Sequence, residues 1–371
     1  MFSISLIVAL VAFVFASDKP SIIKNVNCHT IISLFAMLLV LSGFKRENIF
    51  SPIIKVFSNI RNLPLLSLFL IMCVFFSSML VTNDIALIFF VPLTIEIFKK
   101  SDKDNFLLPV LILENIAAIR GSLLTPFGSP QNLYFFNNTS INAFDFIKHM
   151  SPLCIMSFLL ICLYVLFIFR RNLKEKIIID LEFPNISSKL NKKQISYIAL
   201  FICVVLAIVL RLESYPFYIV VLLISIICFL IDKEIFKSVD YFLLLTFFCF
   251  FFFSNCICQN VTIANFLRNS INGREYIWVI LLSQIISNVP ATIILFPFCD
   301  GKYSLLIYAS DTAGLLFILG SLANIIILRL YKKEFAHNIK KYILAFLKYS
   351  TTFFAIVVIP GFLIAENWQF I

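Results

Sequence analysis

GSLLTPFGSPQN, residues Gly121 to Asn132, is the stretch whose reading decides the fold. It lies inside an apolar segment, Leu107 to Phe136, yet it carries two glycines, two prolines, a threonine, two serines and a Gln-Asn pair. Pro126 and Pro130 each remove a backbone hydrogen bond from a helix interior, so the helix must break there. Within hydrocarbon, broken backbone is tolerated only where it is buried in protein or lines a polar cavity. The stretch is therefore a candidate ligand site.

The chain around it is 61% hydrophobic and only 13% charged, with a mean hydropathy of +1.00. Soluble domains carry roughly 25% charged residues. Apolar runs of the ~20 residues needed to cross ~30 Å of hydrocarbon recur from end to end. The expected fold is thus an all-α polytopic membrane protein, a single membrane domain in a lipid bilayer. The net charge of +10 resides mainly in short loops, so it reads as a topology signal and no nucleic-acid partner is expected. Apart from a lone C-x-C at Cys256 and Cys258, the ten cysteines show no paired metal spacing and read as packing residues. His29, His149 and His337 are scattered, so neither a metal site nor a catalytic histidine is expected.

Three pairs of segments point to an internal repeat. SIIKNVN from Ser21 matches EIFKSVD from Glu234; Thr82-Asn83 with Ala86 and Pro92 matches Ser287-Asn288 with Ala291 and Pro297; Gly128-Ser129 with Asn132 matches Gly320-Ser321 with Asn324. The first pair makes the apolar run Met1 to Ala16 the counterpart of Tyr215 to Ile231, a span rather than a signal peptide. The expected organisation is a first repeat over 1–169, a basic linker over 170–193, and a second repeat over 194–371 with one extra leading span.

Most of the 30 Lys and Arg fall in the loops after Phe44, Phe98, Ile231 and Leu330 and in the linker. The basic bias places that set, and the N-terminus, on the cytoplasmic side of the plasma membrane. It also requires Tyr276 to Cys299, too short for two crossings, to enter and leave on one face as a re-entrant hairpin turning at Ser287 to Pro290. By the repeat, Leu63 to Phe98 is a second hairpin turning at Thr82 to Asp84, opening on the opposite face. The repeats are then inverted.

Two hairpin tips and two broken helices would converge near the bilayer midplane. Helix ends present unpaired N–H groups that suit an anion and carbonyls that suit a cation. The expected substrate-binding residues are Thr82, Asn83, Arg120, Thr125, Ser129, Gln131, Asn132, Ser287, Asn288 and Thr312. The expected cation-binding residues are Asn83, Asp84, Gly128, Asn288, Asp311 and Gly314. An acid at membrane depth is costly, so Asp84 reads as a cation ligand, a proton carrier or a helix N-cap. Arg120 reads either as a countercharge to substrate or as the partner of Asp311. Glu114-Asn115 reads as a supporting pair on the same helix. The second break is read as beginning at Ser310-Asp311-Thr312.

These residues resemble a known family. ENIAA (Glu114 to Ala118) before TPFGSPQN, the VTND hairpin (Val81 to Asp84), and SQIISNVPA (Ser283 to Ala291) before GSLAN (Gly320 to Asn324) resemble the ion transporter superfamily. The resemblance is closest to citrate-transporter-like permeases, relatives of divalent anion/sodium symporters, arsenite permeases and sodium/proton antiporters. It covers roughly Ser21 to Leu330. It implies an inverted-repeat, elevator-type secondary transporter of a small anion, coupled to Na+ or H+, that needs no other cofactor and works as a homodimer. In the dicarboxylate branch Ser-Asn-Thr tips bind carboxylate and sodium, which falls here on Thr82, Asn83 and Asp84 and on Ser287, Asn288 and Val289. Asp84, Val289, Ile119 and Asp311 depart from that pattern. The two acids among them favour the alternatives of cation/proton exchange or arsenite efflux. A channel, or a membrane enzyme with a nucleophile or metal at depth, fits the residues less well.

Overall fold

The computed structural model describes residues 2–14, 27–50, 57, 60–177, 190–299, 301–335 and 338–368. Ser21, half of the basic linker (178–189) and His337 lie outside them. The described residues are almost wholly helical, with one isolated bridge between Asn62 and Lys176. Among the described residues, six helices are long and apolar enough to cross a membrane. The chain is an all-α, multi-pass membrane protein.

The helices in order are α1 (Phe2–Val14), α2 (Cys28–Arg46), α3 (Leu63–Leu80), α4 (Asn83–Lys100), α5 (Asp104–Ser122), α6 (Pro130–Asn138) and α7 (Ala143–Phe169). They continue with α8 (Lys192–Val209), α9 (Ser214–Ile231), the single turn α10 (Ile235–Ser238), α11 (Tyr241–Gln259) and α12 (Val261–Ile271). The last five are α13 (Glu275–Ile286), α14 (Asn288–Leu295), α15 (Tyr303–Ala313), α16 (Leu322–Glu334) and α17 (Ile339–Asn367). Their starts are set by capping. Asn27, Asn62, Asn142, Asn191, Asp240 and Asn260 each accept the backbone N–H three residues on, satisfying a donor the helix cannot. The Asn142 cap explains why α7 begins at Ala143 and carries Pro152 within it, whereas hydropathy alone starts that span at Pro152.

One boundary corrects the sequence reading. Helix α15 runs unbroken through Ser310, Asp311 and Thr312, and the chain leaves the helix only at Gly314. Ser310 and Asp311 find side-chain partners on neighbouring elements, Thr292 and Gln131, so burial does not force them to unwind the backbone. Helix α12, between Asn260 and Asn272, was not anticipated.

Packing interlocks the two halves. In the first, α3 packs on α4 and α5; in the second, α13 packs on α14 and α15. Helix α6, after the first break, lies on α14 of the second hairpin, and α16, after the second break, lies on α4 of the first. Helix α17 contacts both α5 and α15. Helix α2 gathers α8, α9, α10 and α11 alongside, and α1 packs on α11.

The loops are joined in two sets. Arg46 pairs with Asp232 (2.5 Å), Lys99 with Glu334 (2.9 Å) and Lys103 with Glu175 (2.6 Å), while Gln194 donates to the Glu47 carbonyl (2.8 Å). These contacts link the loops after α2, α4, α9 and α16 with both ends of the linker. Lys103, then Asn172, hold the Glu175 carboxyl below its usual range by hydrogen bonding. In the other set, Asn27 donates to Asn138 (2.8 Å) and Arg211 donates to the carbonyls of Thr139 (2.6 Å) and Ile141.

Candidate functional site

The first break spans residues 123–129, between α5 and α6. Pro130 opens α6 at the one helical position where a missing N–H costs nothing, and Ser129 caps it by accepting from the Asn132 backbone (3.4 Å). The Asn132 side chain folds back, its Nδ2 donating to the carbonyls of Ser122 (3.3 Å), Leu123 (3.2 Å) and Thr125 (3.3 Å). One side chain thus serves the carbonyls that the broken helix leaves open. Gly128 is required: a Cβ there would stand 2.2 Å from the Ser122 carbonyl oxygen.

The second break, residues 314–321 between α15 and α16, repeats this construction. Asn324 Nδ2 donates to the carbonyls of Gly314 (2.8 Å) and Phe317 (3.0 Å), and Ser321 caps α16 by accepting from Ala323 N (3.3 Å). A Cβ on Gly320 would stand 2.7 Å from the Ala313 carbonyl. This break has extra braces. Gln284 donates to the Ala313 carbonyl (3.1 Å) and accepts from Phe317 N (3.2 Å), while Ser350 and Thr351 of α17 donate to Leu315 O (2.7 Å) and Leu316 O (3.0 Å).

Each hairpin tip docks on a break or its helix. At the first tip, Asn83 N donates to Gly128 O (3.4 Å), and Thr125 Oγ1 donates to Met79 O (2.6 Å). At the second, Asn288 Nδ2 donates to Ser310 O (3.2 Å), and Thr292 Oγ1 donates to Ser310 Oγ (2.6 Å). The two asparagines hold the same local pose: Asn83 Oδ1 accepts from Asp84 N (2.9 Å) and Asn288 Oδ1 from Val289 N (3.0 Å). The turns differ. Two non-helical residues, Val81 and Thr82, join α3 to α4 in relaxed extended backbone. Ser287 alone joins α13 to α14, and it does so at φ 77° and ψ 156°, a region that disfavours any side chain.

Three contacts tie the half-sites together. Gln131 Nε2 donates to Asp311 Oδ1 (2.9 Å); Asn115 Nδ2 donates to Asn324 Oδ1 (2.6 Å); Arg120, fully buried, donates from Nη1 to the Asp311 carbonyl (3.2 Å) and from Nε to Ser157 Oγ (2.8 Å). Asp311 Oδ2 and Arg120 Nη2 have no hydrogen-bond partner. Asp311 is also the leading charged neighbour of Arg120.

The expected residues therefore fall into two linked groups. Thr82, Asn83, Thr125, Gly128, Ser129 and Asn132 form the first. Ser287, Asn288, Asp311, Thr312 and Gly314 form the second, with Gln131 and Arg120 between them. Thr312 is buried beside Gly361 of α17. The Asp84 carboxylate stands apart: its Oδ1 has no hydrogen-bond partner, and its charged neighbour is Asp240 of α11. Sequence reasoning missed the braces Ser157, Gln284, Thr292, Ser350 and Thr351. Their signal was a hydroxyl or amide in mid-span, as in Ser350-Thr351-Thr352. Thr94, which donates to the buried Glu114 carboxylate (2.5 Å), is another.

Comparison with known proteins gives a consistent picture. The family model described as citrate transporter matches residues 1–304. An uncharacterized transporter of Methanocaldococcus jannaschii is 33% identical over 310 residues, covering 82% of this chain and 81% of the relative. The inner membrane protein YbiR of Escherichia coli K12 is 29% identical over 318 residues, covering 82% and 80%.

Proposed function

Because the chain belongs to the citrate transporter family, we propose that this membrane transporter is a secondary active carrier of a small anion, citrate- or dicarboxylate-like or an inorganic oxyanion, coupled to Na+ or H+. The observation that carries the reading is the matched pair of half-sites. Helices α4 and α14 both begin at a buried asparagine without a side-chain cap, and both are docked on a helix that is broken or about to break. Helix starts of this kind favour negative charge, and the open carbonyls opposite favour a cation. A substrate and its coupling ion would then bind side by side between Thr82-Asn83 and Ser287-Asn288, with Thr125, Ser129, Gln131 and Thr312 completing the polar lining.

Alternating access follows in this proposal from moving the hairpins and broken helices as one body against the elements around α2, in an inverted-repeat, elevator-type cycle. Support comes from the way α6 lies on α14 and α16 on α4, which makes the two half-sites mechanically one unit. The basic loop set and the name of the bacterial relative support a cell-membrane location with the N-terminus inside. A homodimer remains part of the proposal through family resemblance alone. Sodium/proton exchange or arsenite efflux is the second reading, favoured by Asp84 and Asp311, whose free carboxylate oxygens offer cation ligands.

The test is uptake into proteoliposomes of labelled citrate, succinate, sulfate and arsenite, each with and without an imposed Na+ or proton gradient. Gradient-stimulated uptake of citrate, succinate or sulfate supports the proposal. Sodium-driven proton movement with no uptake of these three supports the second reading.

A further inference from the structure

A cavity of about 270 Å3 lies between α11, the second hairpin tip and α16. Its lining includes Asp240, Thr246, Ser287, Pro290, Leu322 and Arg329. Ligand pockets for drug-sized molecules run from roughly 300 to 1,000 Å3, so this one is scaled for a small solute. It is wedged between α11, which packs on α2, and the strained tip residue Ser287. Leu322 and Arg329 are two turns apart on α16 and so share one face of that helix. The Cα of Arg329 therefore stands about 10 Å along the helix from that of Leu322, the first residue after the second break.

We propose that this cavity is the portal through which the anion reaches the second tip, and that Arg329 is its recruiting and specificity-determining residue. The proposal rests on the anion-transport reading above. Arg329 is exposed to the cavity, and among the described residues no hydrogen bond or ion pair engages its guanidinium. The cavity is mainly apolar, with Phe242, Phe247 and Ile325 in its lining, so a planar guanidinium left open in that wall is the group in it that matches a carboxylate or an oxyanion in geometry as well as charge. Asp240 is the one acid in the lining. Its Oδ1 caps α11, accepting from Leu243 N (2.9 Å), and it forms no ion pair with Arg329. Asp240 shares the lining with Arg329, and its carboxylate discourages an anion from lodging there permanently. Ser287, at the positive-φ turn, and Pro290, in the first turn of α14, also line the cavity. An anion passing from Arg329 to Ser287 and Asn288 moves from a mobile charge to fixed helix-end donors.

The experiment measures concentration dependence of gradient-driven uptake of labelled citrate, succinate and sulfate for wild type, Arg329→Gln, Arg329→Lys and Asp240→Asn. Asparagine caps helices as well as aspartate does, so the last variant keeps the fold. For the transported probe, Arg329→Gln is expected to raise KM about tenfold with maximal rate little changed, the effect of losing one charge-assisted contact. Arg329→Lys should recover part of the loss, and Asp240→Asn should lower KM. Raising ionic strength should raise KM in wild type and hardly at all in Arg329→Gln. An unchanged KM and unchanged salt response in Arg329→Gln would overturn the portal while leaving anion transport standing. So would a fall in maximal rate alone. If wild type moves none of the three probes, the anion reading fails and the portal falls with it.

Discussion

The two half-sites share a hydrogen-bonding plan and differ in how tightly it is held. Asn132 and Asn324 close their breaks in the same way, Ser129 and Ser321 cap the following helices, and Gly128 and Gly320 admit a carbonyl that no side chain would allow. Yet the second break gains Gln284, Ser350 and Thr351 as braces, while the first relies on Asn132 and the contact of its hairpin tip. The tips are unequal in the opposite sense. The first turns through two relaxed residues; the second turns through Ser287 alone and is strained. A firmly braced break thus faces the strained tip, and a lightly braced break faces the relaxed one. Strain of this kind persists only where the surroundings over-determine it, and the bracing supplies those surroundings.

Substitutions can break this comparison. The largest effect is expected at the tips, where Asn83→Ala and Asn288→Ala should each abolish gradient-driven transport while membrane insertion and monodispersity are retained; normal uptake in both would make the tips structural only. Next come the glycines. Gly128→Ala, whose Cβ would meet a carbonyl at 2.2 Å, should destabilise by about 1–3 kcal/mol, and Gly320→Ala, at 2.7 Å, by less, as read by thermal unfolding in detergent. Equal shifts would erase the difference in tightness. The smallest effect is diagnostic by its sign. Ser287→Gly should relieve strain and stabilise by about 1 kcal/mol, whereas Thr82→Gly should destabilise by about 0.5–1 kcal/mol through lost chain stiffness.

Much of this was legible before the structure. Pro126 and Pro130 dictated the first break because proline cannot continue a helix, and the matching Gly-Ser-Asn pattern located the second. The Thr82-Asn83 and Ser287-Asn288 turns were visible as polar interruptions of apolar runs. Ser310-Asp311-Thr312 misled for the same reason: polarity in an apolar run marks either a broken backbone or a buried hydrogen-bond partner. Only the neighbours Gln131 and Thr292 decide which. The strain at Ser287 was invisible, because it arises from a turn one residue shorter than its counterpart rather than from the residue type. The partnership of Arg120 with Asp311 was one of the two readings open in the sequence; its form, through the Asp311 carbonyl, and the second contact with Ser157 were not, since they depend on which face of α5 meets α7 and α15.

The central claim is that the paired half-sites form one coupled anion site, and accumulation tests it most directly. Proteoliposomes loaded with a low concentration of unlabelled citrate, succinate or sulfate are given the labelled anion outside and an imposed Na+ or proton gradient, and the internal concentration is followed to steady state. The account predicts accumulation above the external concentration for at least one of these anions, lost when an ionophore collapses the gradient. Equilibration to equal concentrations, or no anion movement at all beside sodium-driven proton flux, would contradict it.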